Sequence, residues 1–210
     1  MISRSLFLEE KKLRVFDFDD TLVRTDSYVY VNHRDGTTTK LTPGEFAIYK
    51  KRKGDEFDFR DFKDVVNPVE IKAITRILRD MVKKAGKDRK VYILTARGHD
   101  KPIEKYLKDI GIRNVEVVAL GDGNPETKAD WIEQQVEEEE YDDVFFIDDS
   151  QPNVKAVKRR LSKLGVKHRA KLMKSKWKKN RIFEITIFIL DGKRKPFPLG
   201  GGGIFPTYLD

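Results

Sequence analysis

Along the chain, apolar runs of strand length alternate with stretches in which apolar residues recur every three or four positions. Residues 13–18 (LRVFDF), 90–95 (KVYILT), 115–120 (VEVVAL) and 143–147 (DVFFI) are rich in Val, Ile and Phe and predict strands, with 166–172 a weaker fifth. Between them, residues 68–84, 101–110, 127–139 and 152–164 carry helical spacing, several with Pro near the first turn. Gly86, Gly111 and Gly165 follow three of these helices where C-caps are expected. Strand and helix in strict alternation imply a parallel sheet with right-handed crossovers, hence an α/β fold, a Rossmann-like three-layer sandwich. Such sheets bind ligands beyond the carboxyl ends of their strands, so the residues that follow each strand are the ones to examine.

Two segments depart from the pattern. Residues 24–66 form an insertion after the first strand. Within it, 28–32 and 37–42 alternate around Arg34-Asp35-Gly36, which predicts a hairpin. Thr42, Pro43 and Glu45 predict the start of a short helix after it. This insertion reads as a small flap or cap. Its aromatics (Tyr28, Tyr30, Phe46, Tyr49, Phe57, Phe59, Phe62) suit a satellite core, with one or two left to stack on a base. The other departure is at the C-terminal end, where residues 173–210 follow the predicted domain, 1–172, as a basic extension.

Charge sharpens that division. The net charge is +8, but residues 1–150 carry 27 basic and 32 acidic side chains, against 16 and 3 over 151–210. In the extension Lys174, Lys176, Lys178, Lys179 and Arg181 cluster around Trp177, and the apolar run 182–190 and Lys193-Arg194-Lys195 follow. The extension is expected either to pack as a basic surface strand, to dock on nucleic acid or an acidic protein, or to add to a partner's sheet edge. The absence of cysteine excludes disulfides and thiol-based zinc sites. The apolar run 182–190 is too short to span a bilayer, so no membrane role is expected and a cytoplasmic location is, in a host cell if the source is viral.

The strand ends carry the chemistry. Asp17-Phe18-Asp19-Asp20 follows the first strand and brings two carboxylates, at i and i+2, to one small volume. Thr95-Ala96-Arg97 follows the second and Asp148-Asp149-Ser150 the fourth, while Lys128 stands at the start of the helix before that fourth strand. Each has an ordinary alternative: Thr95, Asp149 and Ser150 as helix caps, Lys128 as a solvated lysine. A lysine in a first helical turn nevertheless opposes the helix dipole, which favours an anionic partner. His33, His99 and His168 share no metal-ligand spacing.

Taken together, VFDFDDTL, ILTAR, Lys128 in ETKADWI and FFIDDS resemble the four motifs of the haloacid dehalogenase (HAD) superfamily, in order, over residues 13–172. The whole chain is similar to small members encoded by bacteriophages. The resemblance implies a Mg²⁺-dependent phosphatase. Asp17 is then the nucleophile that forms an aspartyl-phosphate, and Asp19 the general acid and base. Thr95 and Lys128 bind the phosphoryl oxygens, while Arg97 either helps bind substrate or makes a structural ion pair. The metal ligands it implies are Asp17, the backbone carbonyl of Asp19, and Asp148, with Asp149 close by or bound through water. The second aspartate separates this chain from dehalogenases, which usually lack it, and from P-type ATPases, which carry Thr there. The expected substrate is a nucleotide or a polynucleotide end, and a sugar phosphate or other metabolite is the alternative. A non-catalytic binding protein on the same fold is the third reading.

Overall fold

The computed structural model describes residues 10–46, 49–178, 181–189 and 197–198. After β1 (Lys12–Phe16) come β2 (Val23–Arg24), β3 (Val29–Asn32), β4 (Thr38–Leu41), the one-turn α1 (Pro43–Phe46), β5 (Glu56–Asp58) and β6 (Val69–Glu70). The alternating part follows: α2 (Lys72–Lys83), β7 (Arg89–Thr95), α3 (Lys101–Asp109), β8 (Glu116–Ala119), α4 (Pro125–Glu139), β9 (Asp143–Asp148) and α5 (Gln151–Leu164). The chain then returns to the sheet in β10 (Lys167–Lys178), β11 (Arg181–Ile189) and the short β12 (Phe197–Pro198).

The main sheet has the order β12-β11-β10-β9-β1-β7-β8, and its five strands from β10 to β8 are all parallel. Each central strand is buried on both faces, so alternate residues feed two cores. Phe16, Val91, Ile93, Phe145 and Ile147 pack with Ile74, Leu78 and Met81 of α2 and Ile103 and Leu107 of α3. Leu13, Val15, Leu94, Val144 and Phe146 pack with Ala129, Ile132 and Val136 of α4 and Val154, Val157 and Leu161 of α5. The result is the expected Rossmann-like α/β sandwich. No helix among the described residues is long and apolar enough to cross a membrane.

Two local expectations change. The helix predicted from residue 68 starts at Lys72, because Val69 and Glu70 instead pair with Arg24 and Val23 and close the neck of the insertion. Gly111 and Gly165 do adopt positive φ at helix ends, but Gly86 lies beyond the Lys84 cap, its amide bonded to the Arg89 carbonyl in a turn.

The insertion is a three-stranded sheet, β4-β3-β5, with Val29 and Val31 buried. Thr42 and Glu45 form a reciprocal capping box at α1. Phe46, Tyr49, Phe57, Phe59 and Phe62 join edge to face with centroids 5.0 to 6.3 Å apart, the satellite core expected. Phe59 keeps 45% of its surface exposed.

At the other end of the chain, the fifth strand runs on to Lys178 with no break at Leu172. Met173 is fully buried in the core, so the residue that opens the expected extension belongs to the packing of the domain. Of the extension, residues 179–180, 190–196 and 199–210 lie outside the described residues.

Candidate active site

Register places the first carboxylates. Phe16 pairs with Ile147 on one side and Ile93 on the other, and the Asp17 amide continues the ladder to the Ile147 carbonyl at 3.0 Å. Asp17 and Asp148 are therefore neighbours at the carboxyl edge. Both follow the alternation that directs Val15 and Phe146 toward α4 and α5, and that face is where α4 delivers Lys128.

Lys128 is 2% exposed, which rules out the solvated-lysine alternative. Its ammonium donates to Asp17 Oδ1 at 2.6 Å and Asp148 Oδ2 at 2.8 Å. Asp148 is held further by the Ser150 amide and by the side-chain amide of Asn153, which reaches both of its oxygens at 3.0 and 3.1 Å. Asn153, in the first turn of α5, was missed by the sequence reading. Its one signal there is an amide side chain five residues after Asp148, a spacing that means nothing until the helix is known to fold back over the strand end.

Oxygens of Asp17, Asp148 and Asp149 lie within 4.8 Å of one another, a group that could hold a metal ion. The charge balance fits a cation: three carboxylates face one ammonium. Burial, partly offset by Lys128 and reinforced by Asp148, pushes the Asp17 carboxyl up to about 7. Burial, then the fields of Asp148, Asp17 and Asp20, raises Asp149 well above the carboxylate range. Burial and Asp19, against Arg24, push Asp20 up to about 6. Burial alone would lower Lys128, but Asp148 and Asp17 outweigh it and hold the ammonium above the usual lysine range. The asymmetry has a simple cause: the one ammonium has two carboxylates to itself, whereas each carboxylate shares it. An all-oxygen donor set short of positive charge suits a hard divalent cation.

These shifts set an expected pH dependence for the chelated protein. The raised acids bind protons in the folded chain that they release when it unfolds, where an ordinary Asp titrates near ~3.9. The stability they confer is full below about pH 4 and is lost as pH rises through the folded values of about 6 and about 7. In EDTA the melting temperature should fall between pH 5 and 7.5, and a saturating divalent cation should flatten the fall. A melting temperature that climbs over this range in EDTA would contradict the carboxylate crowding.

Asp19 stands apart from this group. Both its oxygens accept from Arg97, Oδ2 from Nε and Oδ1 from Nη2, each at 2.8 Å. The other Arg97 donors go to Thr25, Ser27 and the carbonyls of Phe62 and Asp64. Arg97 is thus 3% exposed with every N–H engaged, and it takes the ion-pair role of the two left open. It ties the end of β7 to the insertion and aims Asp19. The Asp19 carboxylate is not part of the carboxylate group around Lys128; the ligand atom expected of this residue was its backbone carbonyl.

Thr95, the last residue of β7, is buried, and its hydroxyl accepts from the Arg97 amide at 3.1 Å. Of the histidines, His33 bridges Asp55 and Thr39 inside the insertion at 2.7 Å each, and His168 contacts Ser162. Neither belongs to the carboxylate group. Compared with known proteins, the chain matches no family model, no curated protein and no solved structure.

Proposed function

We propose that the chain is a phosphomonoester hydrolase of the HAD type that works with Mg²⁺ through an aspartyl-phosphate on Asp17. The observation that carries the reading is the Lys128 ammonium held between Asp17 and Asp148, with Asp149 beside them, at the carboxyl edge of a parallel sheet. Three segments far apart in sequence, each resembling a HAD motif, meet there, and the fourth, ILTAR, ends the neighbouring strand β7.

Asp17, Asp148 and Asp149 are the side chains that would hold the metal. When bound, the cation supplies the positive charge that lets a carboxylate approach an anionic phosphoryl group. Lys128 spends two of its three donors on Asp17 and Asp148, which leaves one for a phosphoryl oxygen. The Thr95 hydroxyl offers a second contact. Asp17 attacks phosphorus as the ester P–O bond breaks, and Asp19 gives its proton to the departing oxygen. Asp19 then takes a proton from the water that releases phosphate. A carboxyl protonated on one oxygen keeps its hold on Arg97 through the other, so the same ion pair aims Asp19 in both steps. The nucleotide or polynucleotide character of the substrate rests on exposed Phe59, a ring on which a base can stack.

Leaving-group dependence tests the role of Asp19. In Asp19→Asn, kcat on an alkyl phosphate should fall about 10²–10⁴-fold, the usual worth of a positioned general acid. A nitrophenyl phosphate, whose leaving oxygen needs no proton, should suffer far less in a single-turnover assay of phosphoenzyme formation. Equal losses on the two substrates would remove Asp19 as the acid.

A further inference from the structure

The register of β10 has a consequence for what enters the site. Leu172 pairs with Asp148, the last residue of β9, so residues 173–178 continue past the edge that carries the carboxylates. Six residues at about 3.3 Å each make a projection of roughly 20 Å. β11 returns antiparallel beside it, from Arg181 opposite Lys178 to Ile189 opposite Lys171. The register slips between Lys176, opposite Glu184, and Trp177, opposite Ile182, an irregularity of the kind that bends a ribbon.

The projecting stretch of β10 carries Lys174, Lys176 and Lys178 and no acidic residue, and β11 opens on Arg181, with Glu184 at the register position opposite Lys176. At its base, the Lys174 ammonium donates to the backbone carbonyl of Asp149 at 3.0 Å, so the base of the ribbon is tied to the main chain beside the carboxylate group. Strand positions that carry basic residues late in the sequence thus follow on from the edge where Asp148 ends. The insertion, anchored by Arg97, borders the same edge from the β7 side.

We propose that the β10–β11 ribbon is a docking surface for a single-stranded polynucleotide whose terminal phosphate occupies the site. The inference rests on the phosphatase reading for that last step, although binding to the ribbon does not. Lys174, Lys176 and Lys178 recur at every second residue, about 6.6 Å apart along the strand, a spacing comparable to that of successive phosphates in an extended single strand. A small phosphorylated metabolite would reach the carboxylates and leave such a ribbon unused.

The test is fluorescence anisotropy of the full chain with a labelled, 3′-phosphorylated single-stranded DNA 12-mer, titrated at several salt concentrations in EDTA so that nothing turns over. Binding by the parent should weaken steeply with salt. In K176A/K178A/R181A, affinity at low salt should fall at least tenfold, and the log–log salt slope should shrink by about 2, at roughly 0.7 per lost phosphate contact. An unchanged melting temperature checks the fold; if the triple variant does not fold, K176Q and R181Q singly should each remove about 0.7 of the slope. A folded variant that binds like the parent overturns the proposal. So does a parent that ignores the oligonucleotide at low salt, and an acidic protein surface then becomes the partner to seek. Aryl phosphate turnover, measured separately, keeps the two ideas apart: binding lost in the variant without any turnover in the parent sinks the phosphatase and spares the ribbon, and the reverse pattern does the opposite.

Discussion

Asp17→Asn should abolish turnover and at the same time raise the melting temperature of the chelated protein. The two effects share one cause. Asp17 is buried against Asp148 and Asp149 with a single ammonium between them, and burial pushes its carboxyl up to about 7. Above that pH its charge is a burden to the fold, one that a cation site tolerates because the charge is needed for attack. The amide keeps an oxygen for the Lys128 hydrogen bond but removes the charge and the nucleophile. Aryl phosphate turnover with Mg²⁺ should drop by about 10⁴-fold or more, as losses of a covalent nucleophile do. In EDTA at pH 8 the variant should melt higher, at roughly 2–4 °C for each kcal/mol of relieved repulsion in a chain of this size. Undiminished turnover would end the mechanism, and a lower melting temperature would mean that the carboxylate stabilises the metal-free fold.

Lys128→Met should lose both activity and stability. Read from the sequence as a surface lysine, its removal would cost the fold little; burial reverses that expectation. Without the ammonium, Asp17 and Asp148 keep only Ser150 and Asn153 among the donors described here, all of them on Asp148. Removing one partner of a buried ion pair costs about 3–5 kcal/mol because the other is left uncompensated. The melting temperature in EDTA at pH 8 should fall accordingly and should recover in part when the pH drops to 5 and the carboxyls take up protons. Turnover should fall by about 10²–10³-fold, the worth of one donor aimed at developing charge. Added Mg²⁺ should restore stability more than rate. Parent-like turnover would show that Lys128 only balances charge.

The places of Asp17, Asp148, Thr95 and Lys128 were legible because each stands at a strand end or helix start, and those are local features, while what each would do there came only from the resemblance. Strand-end Asp17 and Asp148 needed only the apolar runs before them to be placed at one edge of a parallel sheet. Arg97 was not legible in the same way. The same residue two positions after Thr95 serves a substrate or an ion pair equally well until its distance to Asp19, 78 residues earlier, is known. Asn153 is a parallel case, since nothing in QPN says which carboxylate its amide will meet.

The alternation of two- and near-four-residue periods, read alone, determined the α/β class, the run of alternating strands and helices and the place of the insertion, and it put Asp17, Thr95 and Asp148 at strand ends. These follow from which faces of a segment must be buried, a property each segment carries in itself. Only the tertiary structure decided that Lys128 is buried between two carboxylates, that Arg97 is spent on Asp19, and that the basic strand continues beyond the edge where Asp148 ends. Each of those depends on register between segments distant in the chain, and a slip of one residue would turn every side chain of a strand to the opposite face.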